Sequence, residues 1–362
     1  ANGIGDFKHT VPANALAMCT ANLPDPSIAE GNKHFDTLTY TGDGGASRAL
    51  AGLSFQPDLG WFKSRSSAAN HDLYDSVRGG SARLIPNSQS GESSYSNLIQ
   101  SFNSDGYTLG TASEINGSGL SLVAWNWKGG GSAASNSDGT ITSSVSANTT
   151  AGFSIAGWTG TNGNGTVGHG LGVAPKVVII RRRQSASDWA VYHGEIGNTK
   201  RLVLNSNTAE SSASANWWNN TSPTSTTFSV GSDAGSNGST DNYIAWCFSE
   251  VAGYSKFGKY TGNGNANGTF VYTGFSPALI ITKRTGNSGN WYMWDPTREG
   301  NVMNSPLQAN DAGAESANYD NSLDILSNGF KLRATNSGTN GSGESYLYMA
   351  FAKSPFKYSR AR

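Results

Sequence analysis

Two stretches of the chain place unbroken apolar residues just behind a proline: Pro175-Lys176-Val177-Val178-Ile179-Ile180-Arg181 and Pro277-Ala278-Leu279-Ile280-Ile281-Thr282-Lys283. Short runs rich in β-branched residues predict strands buried on both faces. Apolar stretches also close three segments: Leu122-Val123-Ala124-Trp125, Tyr243-Ile244-Ala245-Trp246 and Tyr348-Met349-Ala350-Phe351. Asp105-Gly106 and Asn328-Gly329 lead into the aromatics Tyr107 and Phe330, as turns lead into strands. No segment sustains a 3.6-residue apolar period. The pattern predicts an all-β chain of short strands and tight turns.

These signals occur three times. Tyr40-Thr41-Gly42, Trp158-Thr159-Gly160 and Tyr260-Thr261-Gly262 open alike, and Pro57, Pro175 and Pro277 each follow the aromatic by 17 residues. Six residues past each proline stands a base: Lys63, Arg181 or Lys283. Fourteen past it stand His71, Trp189 and Trp291, and seventeen past it Tyr74, Tyr192 and Trp294. Asp75, His193 and Asp295 come next, and Glu92, Glu210 and Glu315 mark a later shared point. Fixed offsets of this kind mark internal repetition. The copies run to roughly 90–100 residues, the size of a small β-sandwich. The predicted fold is a tandem of β-sandwich modules, jelly-roll or lectin-like, in three diverged repeats. Matching the closing strands by their apolar pattern sets Trp125 and Trp246 against Phe351, and Asn126 and Cys247 against Ala352.

The expected organisation is an N-terminal segment at 1–36, repeats at 37–129, 153–251 and 252–356, a Gly/Ser/Asn-rich linker at 130–152 and a basic tail at 357–362. Gly129-Gly130-Gly131-Ser132 reads as flexible. The first copy is therefore expected to be freer than the second and third, which are nearly continuous.

Composition narrows the function classes. Charged residues make up 14% of the 362, and the formal net charge is zero. A neutral chain exerts no long-range pull on nucleic acid or an anionic membrane. No apolar run is long enough to cross a bilayer. Two cysteines, Cys19 and Cys247, are too few for a disulfide scaffold. Cys247 falls in a slot that takes small residues and is expected to be buried and unpaired.

Candidate chemistry is sparse. Gly163, Gly165 and Gly168 have dinucleotide-motif spacing, but between strands they read as a structural turn. Asp75 and Asp295 precede Arg78 and Arg298 by three residues, and this duplication suits loop-pinning pairs better than catalysis. His193 beside Glu195 lacks a recognisable nucleophile or metal-ligand partner. No catalytic residue, metal or cofactor is expected. Arg181-Arg182-Arg183 reads as a solvated strand end. Trp217-Trp218 differs: it lies in a polar stretch before Asn219-Asn220 and has no counterpart in the other copies. Indoles flanked by amides suit sugar stacking, subunit contact or simple packing. Trp217, Trp218, Asn219 and Asn220 are the candidate ligand residues.

Tyr260-Thr261-Gly262-Asn263-Gly264, Tyr272-Thr273-Gly274-Phe275-Ser276-Pro277, the stretch Leu323 to Leu332 and the ending Phe351 to Lys357 resemble virion proteins of marine tailed phages. There such a module commonly forms the C-terminal half of a tail-fibre-like chain. The opening, Gly3 through Pro24, is similar to the end of a SPRY-like sandwich domain. The resemblance covers essentially the whole chain, and the module it resembles has no assigned chemistry. It implies a virion-surface location and a fibre or appendage role in recognising a host-surface glycan. The alternatives are a purely structural virion component, such as a capsid decoration or adaptor, and a bacterial secreted adhesin. It also implies contact with other virion proteins and self-association as a trimer, since weak sugar sites gain from multivalency and closed symmetry prevents filament growth.

Overall fold

The computed structural model describes residues 9–10, 17, 19, 22–212, 215–317 and 322–358. Most of the stretch from Gly3 to Pro24, expected to be the end of a SPRY-like domain, and the expected basic tail beyond Tyr358 lie outside the described residues.

The first copy contains β1 (Phe35–Thr41), β2 (Arg48–Ala51), β3 (Leu59–Ser64), β4 (Asp72–Asp75), β5 (Ala82–Arg83), β6 (Ser93–Ser94), β7 (Ile99–Asn103), β8 (Gly106–Leu109), the helical turn α1 (Ser113–Asn116) and β9 (Ser121–Trp127). Next come β10 (Ala134–Asn136) and β11 (Ser143–Asn148). The second copy contains β12 (Phe153–Thr159), β13 (Gly165–Gly168), β14 (Val177–Arg182), β15 (Ala190–His193), β16 (Leu202–Val203), α2 (Ala215–Trp218), β17 (Thr227–Val230), α3 (Ala234–Asn237) and β18 (Asn242–Phe248). The third contains β19 (Ser255–Thr261), β20 (Phe270–Tyr272), β21 (Phe275–Arg284), β22 (Trp291–Trp294), α4 (Pro296–Glu299), β23 (Leu307–Gln308), β24 (Leu323–Leu326), β25 (Gly329–Leu332) and β26 (Ser345–Pro355).

The chain is all-β, and its main sheets share one strand order: β1-β9-β3-β4, β12-β18-β14-β15-β16 and β19-β26-β21-β22-β23. A small second sheet accompanies each: β2-β8-β7, β13-β17 and β20-β25-β24. In copy one, Phe62, Tyr74 and Ala124 turn outward to meet Leu50, Tyr107 and Leu109 of the small sheet. The alternate residues Leu59, Trp61, Val123, Trp125 and Trp127 turn inward to a core shared by all three copies. Period-two alternation with both faces covered explains the unbroken apolar runs. Gly60 is required on the outward face, because a Cβ there would stand 2.4 Å from the Tyr107 hydroxyl. A void of about 30 Å³ within the shared core is lined by Trp61, Trp189, Trp246, Trp291 and Met349 among others, all apolar.

The joints between copies repeat cyclically. The Glu92 N–H donates to Arg183 O, that of Glu210 to Thr285 O, and that of Glu315 to Arg65 O. Trp189 Nε1 donates to Ile85 O at 3.1 Å, Trp291 Nε1 donates to Val203 O at 2.9 Å, and His71 Nε2 lies 3.0 Å from Gln308 O. Arg181 bonds Gln89 O at 2.7 Å, Lys283 bonds Asn207 O at 3.3 Å, and Lys63 bonds Ala312 O at 3.3 Å. Copy two thus grips copy one, copy three grips copy two, and copy one grips copy three. The ring closes within one chain.

This arrangement corrects four expectations. The linker at 130–152 is not a free tether: β10 and β11 pair with each other and extend the second main sheet through β12. The first copy is not looser, since it contributes to the shared core and to both of its joints. Arg181 is fully buried, Arg182 pairs with Asp241 of its own copy at 2.8 Å and Arg183 with Glu92 of copy one at 2.6 Å, so the basic run is not a solvated end, and Arg181 and Arg183 belong to the joint. Finally, Trp61 pairs with Trp125, Ile179 with Trp246, and Ile281 with Met349. The third closing strand is therefore displaced by two residues from its apolar match, and Ala350 takes the place of Asn126 and Cys247. A two-residue slip keeps every side chain on its own face, so hydrophobicity alone does not reveal it.

Candidate functional site

The duplicated acid–base pairs are structural. Arg78 donates to Asp75 at 2.6 Å, Glu92 at 3.0 Å, Leu73 O and Ala82 O. Arg298 repeats this with Asp295 at 2.5 Å, Glu315 at 2.9 Å, Met293 O and Ser305 O. Burial alone would raise the Glu92 carboxyl, but the Arg183 and Arg78 guanidiniums outweigh it and hold it below its ordinary value. In copy two His193 and Ile196 replace the pair. Burial lowers the His193 pKa to about 4, with the Tyr348 backbone and the Glu195 charge opposing it, and its Nδ1 accepts from the Glu195 backbone N–H at 3.2 Å. Gly165 and Gly168 are the two ends of strand β13, so most of the motif lies on a strand and not in the turn expected between strands. Cys247 is a free, buried thiol; burial raises its pKa.

Trp217 and Trp218 correct the idea of exposed stacking faces. Both indoles are buried in the second copy's outer core. The helical turn α2 carries them inward. Trp218 meets Tyr192 edge-on at 5.8 Å and donates to Lys200 O at 3.1 Å. Trp217 is covered by the Arg201 guanidinium, 4.2 Å above its ring. Asn219 and Asn220 are exposed but have φ of 48° and 47°, a left-handed conformation that Asn tolerates. Their place after Trp218 is thus explained by ending α2.

The concave site lies nearby, at the joint of copies one and two. A cleft of about 860 Å³ is lined by Asn87 to Ser90 of copy one and by Asp188, Arg201, Asn205 and Ser206 of copy two, among others. Asp188 Oδ1 accepts from Gln89 Nε2 at 2.7 Å and Asn205 Nδ2 at 3.1 Å. Asp188 Oδ2 stands 4.0 Å from Arg201 Nη1, too far for a hydrogen bond. Arg201 Nε and Nη1 are buried without a hydrogen-bond partner. Burial lowers the Arg201 pKa, with Asp188 and Asp233 opposing it. Fixed amides, one carboxylate and one guanidinium can bind a polar, hydroxyl-rich ligand by directed hydrogen bonds. Sequence reading missed this cleft; the available signal was that Asp188 replaces the Asn70 and Asn290 of the other copies. Among the described residues, no cluster of three or more His, Cys, Asp or Glu is placed to hold a metal ion.

Fold and cleft together define an all-β protein of three ring-closed sandwich copies with a polar pocket at one joint. The chain belongs to the family of the domain of unknown function DUF7483, whose model matches residues 30–355. No curated protein and no solved structure matches it.

Proposed function

We propose that this chain is a non-enzymatic virion-surface protein, a fibre or appendage subunit that recognises carbohydrate on a host cell. The observation that supports this is the 860 Å³ cleft, whose lining of Asp188, Arg201, Asn205 and Gln89 matches the hydrogen-bonding needs of a sugar. Among the described residues Asp188 is the single carboxylate in that lining, which gives the cleft an acceptor for binding, whereas glycoside cleavage uses a carboxylate pair. Self-association as a trimer remains part of the proposal and would multiply a weak site. The second reading, a purely structural decoration or adaptor, is favoured by the closed ring, which makes a rigid building block. An oligosaccharide array probed with the purified chain separates the two. Binding at micromolar concentration supports recognition, whereas absence of binding together with a regular position in the particle lattice supports the structural reading.

A further inference from the structure

The three copies handle one buried basic position differently. In copy one, Arg83 pairs with Asp72 and, at 3.2 Å, with Glu114. In copy three the equivalents are Pro306, Tyr292 and Gly338, so base and acids are lost together. In copy two the acids have become Ala190 and Gly235, yet Arg201 is retained. Trp217 fills the space Glu114 would use, since a Cβ on Gly235 would stand 2.2 Å from the indole. Holding a guanidinium in a partly buried position without a bonded acid is unfavourable, and copy three demonstrates that the position can be neutral. The same copy gains Asp188 where the others have Asn, and both charges line the cleft of about 860 Å³.

We infer that Asp188 and Arg201 form a subsite for a neutral sugar bearing vicinal hydroxyls. A hydroxyl donates and accepts at once, so from the cleft it can give its proton to Asp188 and accept from the guanidinium of Arg201, two groups that stand 4.0 Å apart and do not bond each other. The neighbouring hydroxyl then reaches the amides of Gln89 and Asn205, which Asp188 already orients. An acidic sugar is disfavoured, because its carboxylate would approach Arg201 beside the Asp188 carboxylate.

This rests on the carbohydrate reading above, and the test separates the two. The full chain is probed on an array of neutral and uronic-acid oligosaccharides, with the best binders also presented after periodate cleavage of their vicinal diols. The variants are Asp188→Asn, which restores the residue of the other copies, and Arg201→Gln; thermal melts verify folding. The expected result is binding of neutral glycans, lost on periodate treatment and weakened about tenfold or more by each variant. Binding that survives periodate or both variants, or that is confined to acidic glycans, overturns the subsite and leaves the carbohydrate reading standing. No binding at all overturns both.

Discussion

The buried Asp295–Arg298 pair gives the sharpest test of how each copy holds its inner loop. Both side chains are fully shielded from solvent. Arg298→Ile would strip four acceptors at once: Asp295 Oδ2, Glu315 Oε1, Met293 O and Ser305 O. Glu315 keeps Arg65 at 2.5 Å, so its loss is partial. Asp295 keeps the Trp125 indole N–H at 2.9 Å and the Arg298 backbone N–H at 3.0 Å, but its charge loses its counter-ion. Removing one partner of a buried ion pair costs about 3–5 kcal/mol, mostly through the stranded charge. Copy two has already solved this, with His193 and Ile196 at the same places. The double variant Asp295→His/Arg298→Ile removes the stranded charge and should cost only about 1–2 kcal/mol. Equilibrium urea unfolding at pH 7, followed by tryptophan fluorescence and circular dichroism, reads both. If the single variant lies within about 1 kcal/mol of the parent, or the double is no better than the single, the stranded-charge reasoning is wrong.

Three further outcomes are expected. Residues 153–251 made alone should bind a hydrophobic dye and aggregate, because Trp189, Trp246 and Phe248 belong to the shared core; a soluble fragment with dispersed amide signals would show the copies to be independent. Native Cys247 should react with a thiol reagent only on unfolding, since burial disfavours its thiolate; labelling within minutes at pH 8 would contradict this. His71 is held neutral between Trp61 Nε1 and Gln308 O, and burial lowers its pKa to about 3. The unfolded chain takes up this proton near pH 6.5 and the folded one does not, so stability falls as pH drops from about 6.5 toward 3. His71→Gln should lessen that dependence in urea midpoints measured at pH 7.5 and 4.5, and equal slopes for the two proteins would remove His71 as a cause.

Much of the fold was legible because it is written in spacing. The prolines fixed the core strands: Pro57 and Pro175 stand two residues ahead of β3 and β14, while Pro277 lies at a bulge inside β21. The loop-pinning role of Asp75–Arg78 and Asp295–Arg298 was legible because it is duplicated. The ring was not, because Trp189, Trp291, Lys63, Arg181 and Lys283 bond backbone carbonyls of another copy, and a carbonyl leaves no mark in a sequence. The β10–β11 hairpin was hidden by its polar composition, with Ile141 and Val145 supplying its few buried apolar contacts. Trp217 and Trp218 misled because polar neighbours suggested exposure, whereas one helical turn suffices to bury both. The cleft left one trace in the sequence, Asp188 in place of Asn70 and Asn290, while its concavity exists only in the assembled joint.

Ring closure within one chain bears on how such a cleft can arise. In a ring of three identical subunits every joint is the same, so a residue that opens one joint opens all three, and the loss of packing is tripled. Here the sequence of each joint is free to vary. The joint of copies three and one keeps the Arg65–Glu315 pair at 2.5 Å, and that of copies one and two keeps Arg183–Glu92 at 2.6 Å. At the joint of copies two and three, Thr285 stands where the others have arginine, and Glu210 turns instead to Lys200 of its own copy. The backbone bond from Glu210 to Thr285 O survives that change. The main-chain bond and the side-chain bonds to backbone carbonyls therefore recur at each joint, while the acid–base pair beside them is released to differ. Asp188 and Arg201 occupy such released positions, beside a loop still fixed through Gln89 O by Arg181. A binding site assembled on that joint can change its ligand without changing the fold, provided the backbone bonds that close the ring are left intact.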